Sequence, residues 1–289
     1  MHGNPASTCT GTIGPVKSQV AHLPHRSLRY LESGSGRTLV LLHAFPLSAD
    51  QWLPQLHRLP QGWRFIAPDL RGFRGAGAAF EDPGLHGLSI DDYAGDVLAL
   101  LTHLEIERAV IGGLSMGGYV AFGVLRRAPA RVSGLLLANT RAIPDSDEGR
   151  AGRDRMIKLA AEEGPAAIAR EMVPKLVGET TKQLQPDLLE AVRRLIMMNS
   201  AEGIATALSA LRDRPDSTPL LSTIDFPTLI IAGTEDAIIP VTEAQAMHRA
   251  VPGSSLVVLP QAGHLSNLED PFGWRTALDH WLGGVWSFK

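Results

Sequence analysis

Residues 113–117 read Gly-Leu-Ser-Met-Gly and fit the spacing G-x-S-x-G, with a short apolar run before them and a helix-like segment after. A sharp strand-to-helix turn of this kind strains the backbone of its serine, and it tolerates only small residues two positions away on either side. Ser115 is therefore the candidate nucleophile. A hydroxyl attacks a carbonyl only if a base takes its proton and an acid orients that base. Of the ten histidines, His264 is the best placed, in the loop Gln261-Ala262-Gly263-His264 behind a late apolar run. It completes the chain order serine, acid, histidine. The acid is expected at Asp236, within Gly233-x-x-Asp236-x-x-x-Pro240, with Glu235 its rival by adjacency. An earlier strand end reads Ala138-Asn139-Thr140 and offers no carboxylate, which favours Asp236.

Acyl transfer at Ser115 also needs donors for the developing oxyanion. The backbone N–H of Met116, at a helix start where amides lack partners, is one candidate. The backbone N–H of Phe45, in the loop His43-Ala44-Phe45-Pro46, is the other. His43, Phe45 and Met116 then line the reactive centre, His43 chiefly by shaping its loop through hydrogen bonds. Arg141 either binds a substrate carboxylate or pairs with Asp145 or Asp147. Asp69 and Asp270 read as loop carboxylates that bind backbone amides.

These residues follow apolar runs, and in open α/β sheets ligands bind beyond the carboxyl ends of the strands. The runs are Thr38–Leu42, Ala109–Ile111 with its glycines, Val132–Ala138, Thr228–Ala232 and Ser255–Leu259, with a weaker one at Arg64–Ala67. They lack polar alternation, as expected of strands covered on both faces. Helical patterns lie between them at Ser89–Leu104, Tyr119–Arg127 and Thr242–Ala250, so the sheet should be parallel with right-handed crossovers. Residues 27–33 suggest an antiparallel lead-in strand. From about 141 to 215 the rhythm breaks into helical patterns at Arg150–Glu163, Pro165–Leu176 and Pro186–Met198. The expected organisation is a flexible segment 1–25, a core of 26–140 and 216–289, and a helical insertion at 141–215.

Composition narrows the function classes. The 289 residues carry a formal net charge of -3 and are 44% hydrophobic. That favours a globular protein over a nucleic-acid binder. No apolar run approaches bilayer length, and the first twenty residues lack the pattern of a secretory signal. A single cysteine, Cys9, forms no internal disulfide, so a reducing cytoplasmic setting is expected, with Cys9 itself idle. Neither metal-ligand spacing nor a phosphate-cradling loop is evident, so no metal and no cofactor are expected. The oligomeric state, monomer or homodimer, is open.

His43-Ala44-Phe45-Pro46, Asp69-Leu70-Arg71-Gly72, the serine turn, Gly233-x-x-Asp236 and Gly263-His264 together resemble the α/β-hydrolase superfamily. The serine branch they are similar to holds cofactor-free haloperoxidases or perhydrolases, esterases and 3-oxoadipate enol-lactonases. Ala44 departs from the glycine usual there. The resemblance implies an α/β-hydrolase fold with a mostly parallel eight-stranded sheet, a helical cap at 141–215 and a Ser115–His264–Asp236 triad. Relatives that cleave carbon–halogen bonds or epoxides carry aspartate at the turn, which serine argues against. The implied activity is hydrolysis of a small or medium ester or lactone. Carbon–carbon bond hydrolysis and peracid formation use the same triad. A small-molecule receptor with little turnover is the alternative of another class, and an intact triad favours the enzyme.

Overall fold

The computed structural model describes residues 15–24, 26–74, 85 and 87–285. Cys9, His25 and His86 lie outside the described residues. Eight strands form one sheet: β1 (Lys17–Leu23), β2 (Arg26–Gly34), β3 (Arg37–Leu42), β4 (Trp63–Pro68), β5 (Ala109–Leu114), β6 (Val132–Ala138), β7 (Thr228–Gly233) and β8 (Ser255–Leu259). Their spatial order is β1-β2-β4-β3-β5-β6-β7-β8. Only β2 runs against the others, pairing antiparallel with β1 and β4. This is the α/β-hydrolase fold.

The central strands β5 and β7 are buried along their whole length, which is why their sequences carry no polar alternation. Lys17–Leu23 corrects the expectation of a flexible segment through residue 25. Its side chains are exposed apart from Ala21 and Leu23, but its backbone pairs with β2 from Lys17↔Glu32 to Leu23↔Arg26. An edge strand with one dry face at its end leaves little hydrophobic pattern to read.

Helix Ile90–His103 starts at Ser89 with a capping box, Asp92 N–H bonding the Ser89 hydroxyl and the Asp92 carboxylate accepting from Ser89 N–H. Between β6 and β7 the chain forms helices Asp147–Leu176, Glu179–Leu184, Pro186–Met197, Ala201–Arg212 and Thr218–Leu221. The first bends at Gly164, with φ 73, directly before Pro165, whose ring disfavours a helical predecessor. Glu179–Leu184 and Ala201–Arg212 lie within the expected helical insertion but were not singled out in the sequence. Neither was Pro271–Val285, which buries Trp274 against Trp52 with ring centroids 5.4 Å apart.

Register brings the reactive loops together. Leu42 lies opposite Gly113, Leu114 opposite Ala138, Ala138 opposite Ile231 and Gly233 opposite Leu259. The strand ends that precede Phe45, Ser115, Asn139, Asp236 and His264 thus sit side by side along one sheet edge. Among the described residues no helix is long and apolar enough to cross a membrane.

Candidate active site

Ser115 joins β5 to helix Met116–Arg127 with φ 53 and ψ -112, and its side chain makes no capping hydrogen bond to that helix. Positive φ at a non-glycine residue costs roughly 1–3 kcal/mol and persists only where packing enforces it. Here packing does. A Cβ at Gly113 would stand 2.1 Å from the Gly117 carbonyl carbon, and one at Gly117 would stand 2.1 Å from the Leu42 oxygen. The serine backbone is pinned as well: its N–H donates to Ala138 O at 2.9 Å, and its carbonyl accepts the Thr140 hydroxyl at 2.9 Å. Ser115 is 9% exposed.

Of the two adjacent acids, Asp236 meets the histidine. His264 Nδ1–H donates to Asp236 Oδ2 at 2.8 Å, with Oδ1 at 3.0 Å. A carboxylate only accepts, so the proton sits on Nδ1 and Nε2 is the basic nitrogen. Asp236 also accepts from the N–H groups of Ile238 and Ile239, both at 2.9 Å. Burial alone would raise its pKa, but the charge and hydrogen bond of His264, with Ile239 and Asn139, hold it below the usual carboxylate range. Glu235 turns away and accepts from Thr180 N–H at 2.7 Å and from the Thr180 hydroxyl at 2.6 Å.

Asn139 occupies the strand end passed over for want of a carboxylate. Its amide donates to Asp236 Oδ2 at 2.9 Å and to Gly263 O at 3.1 Å, while its oxygen accepts the Ser266 hydroxyl at 2.5 Å. It therefore braces the acid and the histidine loop together. A polar amide at the end of a buried strand was the available signal.

On the other side of the serine, Met116 opens its helix, where the first N–H groups have no intrahelical acceptor. Phe45 lies three residues past the end of β3, and its ring meets Phe73 edge-on at 6.3 Å. Ala44 is fully buried and its N–H donates to Gln51 Oε1 at 2.9 Å. His43 is also fully buried. Its Nε2 accepts Leu70 N–H at 3.0 Å, which leaves Nδ1 to donate to Ala44 O at 2.9 Å. Both ring nitrogens are thereby taken up in shaping the loop, and neither is left for a substrate.

Asn199, not singled out in the sequence, ties the helical insertion to this loop. Its amide donates to Pro46 O at 2.8 Å, and its oxygen accepts Arg74 N–H at 2.8 Å. Arg141 pairs with Asp145 at 2.8 Å, a carboxylate that also meets Arg153 at 3.0 Å and Arg214 at 2.8 Å. Asp69 and Asp270 bind backbone amides, those of Ala49 and Gly273.

Comparison with known proteins places the fold. Residues 37–271 match the family model described as alpha/beta hydrolase fold. The 3-oxoadipate enol-lactonase 2 of Acinetobacter baylyi is 30% identical over 241 residues, covering 83% of this chain and 86% of the relative. A thermophilic esterase from Thermogutta terrifontis, solved with malate bound, superposes with a TM-score of 0.85 at 38% identity, covering 93% of this chain and 99% of the esterase. The enol-lactonase of Burkholderia xenovorans LB400 gives 0.82 at 27% identity, covering 91% and 99%.

Burial pushes the His43 imidazole from its ordinary 6.5 down to about 4. Between those values the unfolded chain binds a proton that the folded chain does not. Stability from this group is full above 6.5 and falls as pH drops towards 4, by at most about 3 kcal/mol. His43→Gln removes that dependence. Urea unfolding from about pH 7 to about pH 4.5 should show the stability gap between wild type and variant shrinking as pH falls. A gap that stays constant would contradict the buried neutral imidazole.

Proposed function

The chain belongs to the alpha/beta hydrolase family, and from that premise we propose that it is a serine hydrolase cleaving a small or medium carboxylic ester or lactone through an acyl-enzyme on Ser115. The observation that carries this reading is the conjunction of a strained serine whose side chain makes no capping hydrogen bond and a buried His264–Asp236 pair on the same sheet edge.

His264 Nε2 takes the Ser115 proton as Oγ attacks the ester carbonyl. The imidazolium that forms keeps its Nδ1–H on Asp236, which stays ionised and stabilises it. The N–H groups of Phe45 and Met116 receive the oxyanion. His264 then passes the proton to the leaving alcohol, and a water activated by the same nitrogen hydrolyses the acyl-enzyme. Helices from Asp147 to Leu221 act as a cap over this edge, seated through Asn199 on the Phe45 loop and through residues 176–181 on the acid and histidine loops. The esterase and enol-lactonase relatives support the ester or lactone substrate.

Arg141 lies two residues past Asn139 and is 22% exposed at its side chain. Asp145 faces three guanidinium groups, so positive charge is in excess there. An anionic group on the substrate fits that excess, as does the malate held by the esterase neighbour.

A fluorophosphonate probe should label wild type, and Ser115→Ala should abolish labelling and lower p-nitrophenyl ester turnover at least about a thousandfold. Robust turnover by the alanine variant would refute the mechanism. Tight binding of a small ligand by a probe-silent wild type would favour a receptor instead. In steady-state kinetics, Arg141→Ala should raise KM for a carboxylate-bearing ester about tenfold and leave a neutral ester unchanged. Equal effects on both esters would remove Arg141 from the substrate site.

A further inference from the structure

Glu269 is 6% exposed and sits in the seam between the cap and the histidine loop. Its carboxylate takes four hydrogen bonds. Oε2 accepts Gly178 N–H at 2.7 Å, the Thr181 hydroxyl at 2.7 Å and Gly263 N–H at 3.0 Å, while Oε1 accepts Leu265 N–H at 3.0 Å. Two donors belong to the cap, and the other two are the peptide N–H groups of the residues flanking His264. The seam is tight around them: a Cβ at Gly263 would stand 2.1 Å from Gly178 N, and Leu265 N–H also reaches Leu176 O at 3.0 Å.

A buried carboxylate met only by neutral donors is costly to keep unless both of its oxygens are needed. Here they are. A glutamine would present one oxygen and one NH2 group, so either Leu265 N–H or the three donors on Oε2 would face another donor. The position thus requires an acceptor on both sides, Oε2 joining the cap to Gly263 and Oε1 holding Leu265.

We infer that Glu269 is a positioning residue, through which seating of the cap fixes the peptide units around His264 and so the direction of its imidazole. The inference rests on the triad proposed above. With Glu269 intact, cap and general base move as one body. Without it, His264 loses its fixed alignment between Asp236 and Ser115, while the cleft that binds substrate is retained.

The test uses the full chain with a p-nitrophenyl ester. Glu269→Gln should lower kcat about 10- to 100-fold, the scale of a misplacement of about 1 Å. KM should stay within about twofold, and fluorophosphonate labelling should slow in parallel. Combined with Asp236→Asn, the loss should be smaller than the product of the single losses, because both changes act through His264. A wild-type kcat, or losses that multiply in full, would overturn the inference. Should the glutamine variant fail to fold, Thr181→Val is read in its place: a several-fold fall in kcat at constant KM supports the role, and a wild-type kcat overturns it. Turnover that survives Ser115→Ala would instead defeat the proposed function. A silent Ser115→Ala beside a fully active Glu269→Gln would defeat the positioning role alone.

Discussion

The backbone contact between Gly117 and the Leu42 carbonyl is the constraint on which the rest of the site depends. No side chain fits in that gap, nor between Gly113 and Gly117, so β5 and the following helix can close on β3 only as far as two missing Cβ atoms allow. That closure holds Ser115 at positive φ, and its side chain makes no capping hydrogen bond to the helix it precedes. It also brings the Phe45 loop beside the helix N-terminus, because Leu42 and Gly113 are register partners. The candidate nucleophile and its two candidate oxyanion donors are thus products of one packing event. Thr140, bonded to the serine carbonyl, extends the same arrangement to the end of β6.

Around this centre, charged and polar groups are kept apart by what each one touches. Asp236 is held low by His264 and backbone amides, Glu235 is engaged by Thr180, and Glu269 is surrounded by neutral donors between the helical insertion and the His264 loop. His43, though close in sequence to Phe45, is neutral and fully engaged. Among the described histidines, only His264 has a carboxylate on one ring nitrogen, Nδ1, with Nε2 as its other nitrogen. The helical insertion reaches the candidate site through two polar stitches, at Asn199 and at residues 176–181.

The parallel strands, the serine turn and the order serine, acid, histidine were legible because each leaves a local mark: a continuous apolar run, a glycine spacing, or a polar residue just past a strand. The bracing residues leave none. Asn199 meets Pro46 across 153 residues and Gly178 meets Glu269 across 91, separations at which no spacing rule operates. Asn139 was noticed only for what it lacked, although an amide can brace two loops where a carboxylate would compete for the histidine. The strand Lys17–Leu23 escaped notice because pairing through the backbone asks little of its side chains.

The central claim is that Ser115 carries the acyl group. Mixing the protein with a slowly deacylating p-nitrophenyl ester, quenching in acid and mapping peptides by mass spectrometry tests it directly. The account predicts one added acyl group, on the peptide holding Ser115, appearing with the burst of nitrophenol and absent from His264→Ala. Burst release with the acyl group on another residue, or steady turnover with no covalent adduct at any quench time, would contradict it.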